Sequence, residues 1–233
     1  MSVLIKRASN LSSGSPKGYL PGDVYNVSIT LKSDKTPIIK FSDPENLIIG
    51  GSTLSTWSST ILVRKESTIP ASPTDGTVIL TNTTKNKYSI DGYNDASIDK
   101  NKTYYYRFFT MSTDKVCNNN STMIYPFACQ LNSDAVDWKF INDISESGVA
   151  SSIWNVGDEI DITLTGKYAQ TLTFQIWDFN YFDKADGTGK AGIVFGMKNL
   201  MKNKYALETI ENFEVMSVVD TWKFKYLRQY TLL

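Results

Sequence analysis

Apolar and polar residues alternate along much of this chain with the period of two that puts successive side chains on opposite faces of a strand. The clearest stretch runs from Thr56 to Thr110. Trp57 to Lys65 alternates so that Trp57, Ile61 and Val63 share one side while the hydroxyls and Arg64 take the other. Pro70, Pro73 and Asp75-Gly76 break that run, and Thr77 to Thr81 begins another. Tyr104 to Thr110 is the most β-prone segment of all. Before this stretch, Asp23 to Leu31 places Val27, Ile29 and Leu31 on one face, and a strand from Pro37 is stopped by Pro44. Gly50-Gly51 predicts a turn, Lys87 to Ile90 with Asp91-Gly92 a strand and turn, and Met123 to Cys129 a last apolar strand. Short strands punctuated in this way imply a sandwich.

After residue 130 the pattern weakens. Polar residues flank a short apolar piece around Trp138, Phe140 and Ile141, which places a boundary near Gln130 to Ser152. Beyond it Ile153 to Asp158 predicts a strand and a Gly-Asp turn. Ile160 to Leu164, Leu172 to Phe179 and Ile193 to Met197 predict further strands. Phe174 and Ile176 stand opposite Trp177 and Phe179, so this alternation predicts a strand covered on both faces. Leu207, Ile210 and Phe213 have weak helical spacing, and the basic, aromatic run from Trp222 to Tyr230 suits a short helix. The expected layout is a breaker-rich N-terminal arm (1–22), a β-sandwich (23–130), a linker (131–152) and a small β-rich or α+β C-terminal domain (153–233). The fold class is mainly β.

Lys and Arg total 24, as do Asp and Glu, so no global field favours a polyanion and nucleic acid is not an expected partner. No apolar run approaches the roughly 20 residues of a membrane helix, and the first seven residues are too short and too soon charged for a secretory signal. The chain has no histidine. That excludes imidazole acid–base chemistry, Ser/His and Cys/His dyads and His-containing zinc sites. Cys117 and Cys129 are too few for a disulfide framework and are expected as partly buried thiols, with a single local bridge the alternative.

In Ile38 to Pro44, residues 23–115 resemble the second-strand pattern of a fibronectin type III domain, with Phe41 where that family usually has tryptophan. Ile98 and Tyr104 resemble the leucine and tyrosine of its tyrosine corner, and Tyr106 and Phe108 continue the inward face. Val63-Arg64-Lys65, Pro70, Asp75-Gly76 and Tyr104 to Arg107 are similar to the version found in tail and baseplate proteins of phages and prophages of low-GC Gram-positive bacteria. Residues 153–228 resemble an uncharacterised domain that often follows it in the same phage proteins. The matching pieces are Trp154 to Asp158, Leu164 to Gly166, Ile176 to Asn180, Gly192 to Phe195, Trp222 and Leu227-Arg228, with Tyr181 where that domain often has a histidine. The domain usually continues well past the Leu-Arg pair.

Asp178, Asn180, Asp183 and Asp186 crowd oxygen ligands into one loop, the donor type a hard cation takes. Their spacing is not that of an EF-hand, and Asp-Gly is also a common turn. Asp158 and Asp161 form a carboxylate pair of the kind that cleaves glycans, but surface acids are ordinary. Trp154, Trp177, Trp222, Tyr168, Tyr181 and Tyr226 are a surplus of aromatics. They suit a core, a subunit interface or a stacking platform for a sugar, with Trp177, Tyr181, Trp222 and Tyr226 the candidate ligand contacts. The resemblance implies a non-enzymatic, cofactor-free structural component of a phage tail, baseplate or tail-like particle. It would be assembled in the bacterial host cytoplasm and contact other copies of itself and neighbouring virion proteins. The alternative is a host-surface module or adhesin that binds cell-wall carbohydrate.

Overall fold

The computed structural model describes residues 18–199, apart from Ser133, Lys167, Tyr168 and Asp186. The described residues hold twelve strands and two helices, and every strand pairing is antiparallel, so the fold is mainly β. In chain order the first nine strands are β1 (Tyr25–Leu31), β2 (Pro37–Ser42), β3 (Leu47–Ile49), β4 (Ser52–Ser55), β5 (Trp57–Glu66), β6 (Thr77–Asn82), β7 (Tyr93–Asn94), β8 (Thr103–Ser112) and β9 (Ile124–Ala128). They form a three-stranded sheet β1-β2-β7, a four-stranded sheet β6-β5-β8-β9, and the small hairpin β3-β4. Gly50 and Gly51, both at positive φ, make the hairpin turn where the sequence reading expects one.

The two larger sheets share a core. Ile29, Ile39 and Phe41 from one and Leu62, Tyr106 and Phe108 from the other are fully buried, and the Phe41 and Phe108 rings lie 4.9 Å apart. Along β5, Leu62 and the polar Thr60 and Arg64 face this core. Each polar side chain enters because a carboxylate waits for it. Arg64 Nη1 meets Asp95 Oδ2 at 2.6 Å, and the Tyr106 hydroxyl donates to the same oxygen at 2.8 Å. Thr60 Oγ1 (2.5 Å), Asn82 Nδ2 (2.8 Å) and the Asn86 backbone N–H (2.7 Å) all donate to Asp43. Burial raises the Asp43 pKa above the usual carboxylate value even against these donors, and burial beside Asp95 keeps Tyr106 neutral.

Residues 131–152 contain helix α1 (Trp138–Ser147). Asp137 caps it, accepting from Phe140 N–H at 2.7 Å, and Gly148 ends it at φ 73°. Its apolar face buries Phe140, Ile141 and Ile144 in the same core, and the Tyr105 hydroxyl on β8 donates to Asp143 at 2.6 Å. A short helix α2 (Ala150–Ile153) follows, and Trp154 to Asp158, expected as a strand and a Gly-Asp turn from Ile153, form the turn without the strand. The fully buried Trp154 ends α2 by donating its own backbone N–H to Ala150 O, and its indole N–H donates to Ala128 O at 3.2 Å. The strands β10 (Glu159–Leu164), β11 (Gln170–Phe179) and β12 (Ile193–Met197) form a third sheet in the order β10-β11-β12, joined to α1 by the Trp138–Phe195 ring contact.

The segment Lys87 to Ile90 also differs from its expected strand. Lys87 and Ser89 N–H bond back to Thr84 and Asn86 carbonyls, making turns, and pairing with β2 passes to Tyr93 and Asn94 in β7. The helical spacing at 207–213 and the aromatic run at 222–230 lie outside the described residues, as do residues 1–17 of the arm. Of the arm's end, Pro21 and Gly22 offer their carbonyls to Asn118 Nδ2 and Thr110 Oγ1. No helix among the described residues is long and apolar enough to cross a membrane.

Candidate functional site

The third sheet is two-sided in chemistry. Leu172, Phe174 and Ile176 of β11 share the covered face, with Phe174 and Ile176 packed in the core. Thr171, Thr173, Gln175 and Trp177 turn the other way, opposite Thr163, Asp161 and Glu159 of β10. This outer face is wet and laced with polar contacts. Thr173 Oγ1 donates to Asp161 at 2.7 Å, and Lys198 Nζ reaches Glu159 Oε1 at 2.6 Å. A large aromatic ring at one end of a polar sheet face is the exception.

Trp177 owes its place to a bulge. The β11–β12 register slips between Ile176 and Asp178, leaving Trp177 as the extra residue. Beyond the slip Phe179 pairs with Ile193, and both pack against the core. Phe179 is therefore on the side of Ile176, not of Trp177. The expectation of a strand covered on both faces is corrected accordingly, because one extra residue resets the alternation. Gly196 pairs with Gln175, two residues before the bulge. A Cβ on this glycine would fall inside the indole of Trp177, so the ring lies directly on glycine backbone with 44 % of the residue still exposed.

The other aromatics part company. Tyr181 is 64 % exposed and stands edge-on to Phe182, 4.8 Å between centroids. Trp154 is core, with its N–H committed to Ala128, and contributes to no platform. Tyr168, Trp222 and Tyr226 lie outside the described residues. So does Asp186 of the candidate cation loop. Asp178 accepts from Phe179 N–H at 2.7 Å, Asp183 pairs with Lys190 at 2.8 Å, and Asn180 N–H bonds to Gly192 O. Among the described residues no three His, Cys, Asp or Glu side chains form a group able to hold a metal. Asp158 caps its own turn, accepting from Asn155 N–H, while Asp161 is bound to Thr173 and Asn132.

Cys117 and Cys129 are free thiols. Burial pushes the Cys129 pKa up to about 11, and its Sγ sits 3.2 Å from Lys35 O, so this thiol is a core filler rather than a nucleophile. A surface depression of about 340 Å³ beside α2 is lined by Leu31, Lys32, Ser33, Lys35, Ser152, Ile153 and Asn155. It brings Lys32 and Lys35 together, with Lys32 paired to Asp34 at 3.8 Å. Sequence reasoning singled out Trp177 and missed Gly196, Gln175, Glu159 and Lys198 around it. A glycine in the middle of an apolar strand was the available signal. Comparison with protein-family models, with curated proteins and with solved structures finds no match to this chain.

Proposed function

We propose that this protein is a non-enzymatic structural component of a bacteriophage tail, baseplate or tail-like particle, acting by subunit assembly. Its partners are other copies of itself and neighbouring virion proteins. The observation that carries the reading is the strand arrangement of residues 25–128. Seven strands split three and four over one core, β1-β2-β7 against β6-β5-β8-β9, as a fibronectin type III-like sandwich requires. The Tyr104 hydroxyl accepts from the Asp99 backbone N–H at 2.9 Å, which is the contact of a tyrosine corner. The resemblance to phage tail modules then supplies the setting, and balanced charge lets identical subunits approach without repulsion. The test is mass spectrometry of purified particles from an induced lysate of the source bacterium. Peptides at a fixed ratio to the major tail-tube protein are expected. Absence from particles with presence on the cell wall or in the medium would overturn the reading.

A second reading is favoured by one specific observation, the Trp177 ring seated on Gly196 at the end of a polar sheet face. An exposed indole beside amide, hydroxyl and carboxylate groups suits stacking against a pyranose ring. In this reading the third sheet holds host cell-wall carbohydrate. Titration with purified wall polysaccharide should then shift tryptophan emission in the wild type and not in Trp177→Ala. Equal responses in both would remove this site.

A further inference from the structure

The outer face of the third sheet settles most of its polar side chains among themselves. The Thr163 and Thr171 hydroxyls lie 3.2 Å apart. Thr173 is bound to Asp161, whose other oxygen accepts from Asn132 Nδ2 at 3.3 Å, and Glu159 is paired with Lys198. Gln175 is the exception. It is half-buried and stands between Glu159 on β10 and Gly196 on β12, and among the described residues nothing bonds to its carboxamide. Because the Trp177 indole lies on Gly196, the exposed ring and this uncommitted amide stand side by side across the sheet.

We propose that Trp177 and Gln175 form a saccharide-binding pair that takes an uncharged pyranose unit and rejects anionic wall polymers. A pyranose offers an apolar C–H face to an indole. At its rim it offers hydroxyl or acetamido groups to a carboxamide, which brings two N–H donors and an acceptor oxygen. A protein neighbour is served less well, because interface cores are built from contiguous apolar contacts and the groups beside this ring are an amide, hydroxyls and an ion pair. A proline-rich peptide docks in an aromatic-lined groove, whereas Trp177 rests on glycine backbone within an open sheet face. Contact with Gly196 already holds the indole in place, so little side-chain freedom is lost when a sugar stacks on it.

Charge then selects among glycans. Lys198 is cancelled by Glu159, which leaves the carboxylate of Asp161 on the face, and the exposed Asp178 follows the indole directly. A phosphodiester or uronate polymer brought to the ring meets like charge from both, while a neutral sugar does not. The assignment rests on the carbohydrate reading above and deepens it to a ligand class.

The experiment is titration calorimetry of the full chain with wall polysaccharide of the source bacterium, split by anion exchange into a neutral and a phosphate-bearing fraction. The wild type is expected to bind the neutral fraction and to hold the phosphate-bearing one at least about tenfold more weakly. Trp177→Ala should abolish binding. Gln175→Met keeps the side-chain length without the hydrogen bonds and should weaken neutral binding about tenfold at an unchanged melting temperature. Asp161→Asn/Asp178→Asn should raise affinity for the phosphate-bearing fraction and leave that for the neutral one as it was. No binding by the wild type, or binding that survives Trp177→Ala, would overturn the carbohydrate reading and this inference together. Binding that needs Trp177 but ignores Gln175→Met, favours the phosphate-bearing fraction, or shows no gain for that fraction in the double variant would overturn this inference alone. A proline decamer bound as tightly as the neutral fraction would give the ring to a peptide and overturn it too.

Discussion

The region of Tyr25 to Ala128 and the sheet β10-β11-β12 solve the problem of burying β-structure differently. The first closes two sheets on each other, so polar side chains caught between them need partners built into the fold. Arg64 and Asp95 find each other, and Asp43 gathers three donors. The second sets one face on the core and leaves the other wet, where charge pairs such as Lys198–Glu159 are exposed. Polar contacts of similar length therefore carry different weight. Inside the first region, loss of a partner strands a charge away from water, while on the open sheet water replaces it.

The largest expected effect tests that contrast directly. Asp95→Ala leaves the Arg64 guanidinium buried and unpaired and should lose about 3–5 kcal/mol in urea unfolding. Asp161→Ala on the open sheet should stay within about 1 kcal/mol. Equal losses would erase the distinction. Next comes the one place where the open face is tightly packed. Gly196→Ala drives a methyl into the Trp177 ring and should cost about 1–3 kcal/mol with altered tryptophan emission. The same change in a Trp177→Ala background should cost much less, and undiminished loss there would show that β12 itself rejects the methyl.

Tyr105→Phe removes the hydroxyl that joins β8 to Asp143 of α1, and about 1 kcal/mol should disappear from the unfolding free energy. The smallest effect is a pH slope. In the unfolded chain Asp43 ionises at the ordinary carboxylate value, but folded it holds its proton to higher pH. Between the two pKa values the folded state binds more protons, so the contribution of Asp43 to stability falls as pH rises through that window and is level outside it. The difference in unfolding free energy between wild type and Asp43→Asn should show this fall, and a rise would contradict the burial argument.

Much of the fold was legible because period-two alternation is a local property. Nine of the strands stand where Val27, Phe41, Ile61, Val78, Phe108, Phe127, Ile162, Phe174 and Phe195 place them. Helix α1 was also signalled locally, by Asp137 as a cap, Gly148 as a stop and Phe140, Ile141 and Ile144 between them. Its polar flanks resembled those of a connection. What could not be read were the outcomes of pairing. The bulge at Trp177 turns Phe179 inward only because β12 is in register beside it, and Arg64 is an interior residue only because Asp95, 31 positions later, arrives opposite. The seat of Trp177 on Gly196 joins two strands, so neither strand announced it alone.

The indole of Trp154 on the carbonyl of Ala128 has a consequence for vectorial synthesis. All seven strands of the two facing sheets are translated before the residues that finish their edge. A nascent chain with only these strands outside the ribosome leaves Ala128 O and the Tyr105 hydroxyl without their Trp154 and Asp143 partners. Completion waits for some 25 further residues, about one to five seconds of elongation at ordinary rates. During that interval β9 pairs with β8 but lacks the α1 that later packs against it, so the ribosome-bound pair of sheets is the form a chaperone would meet.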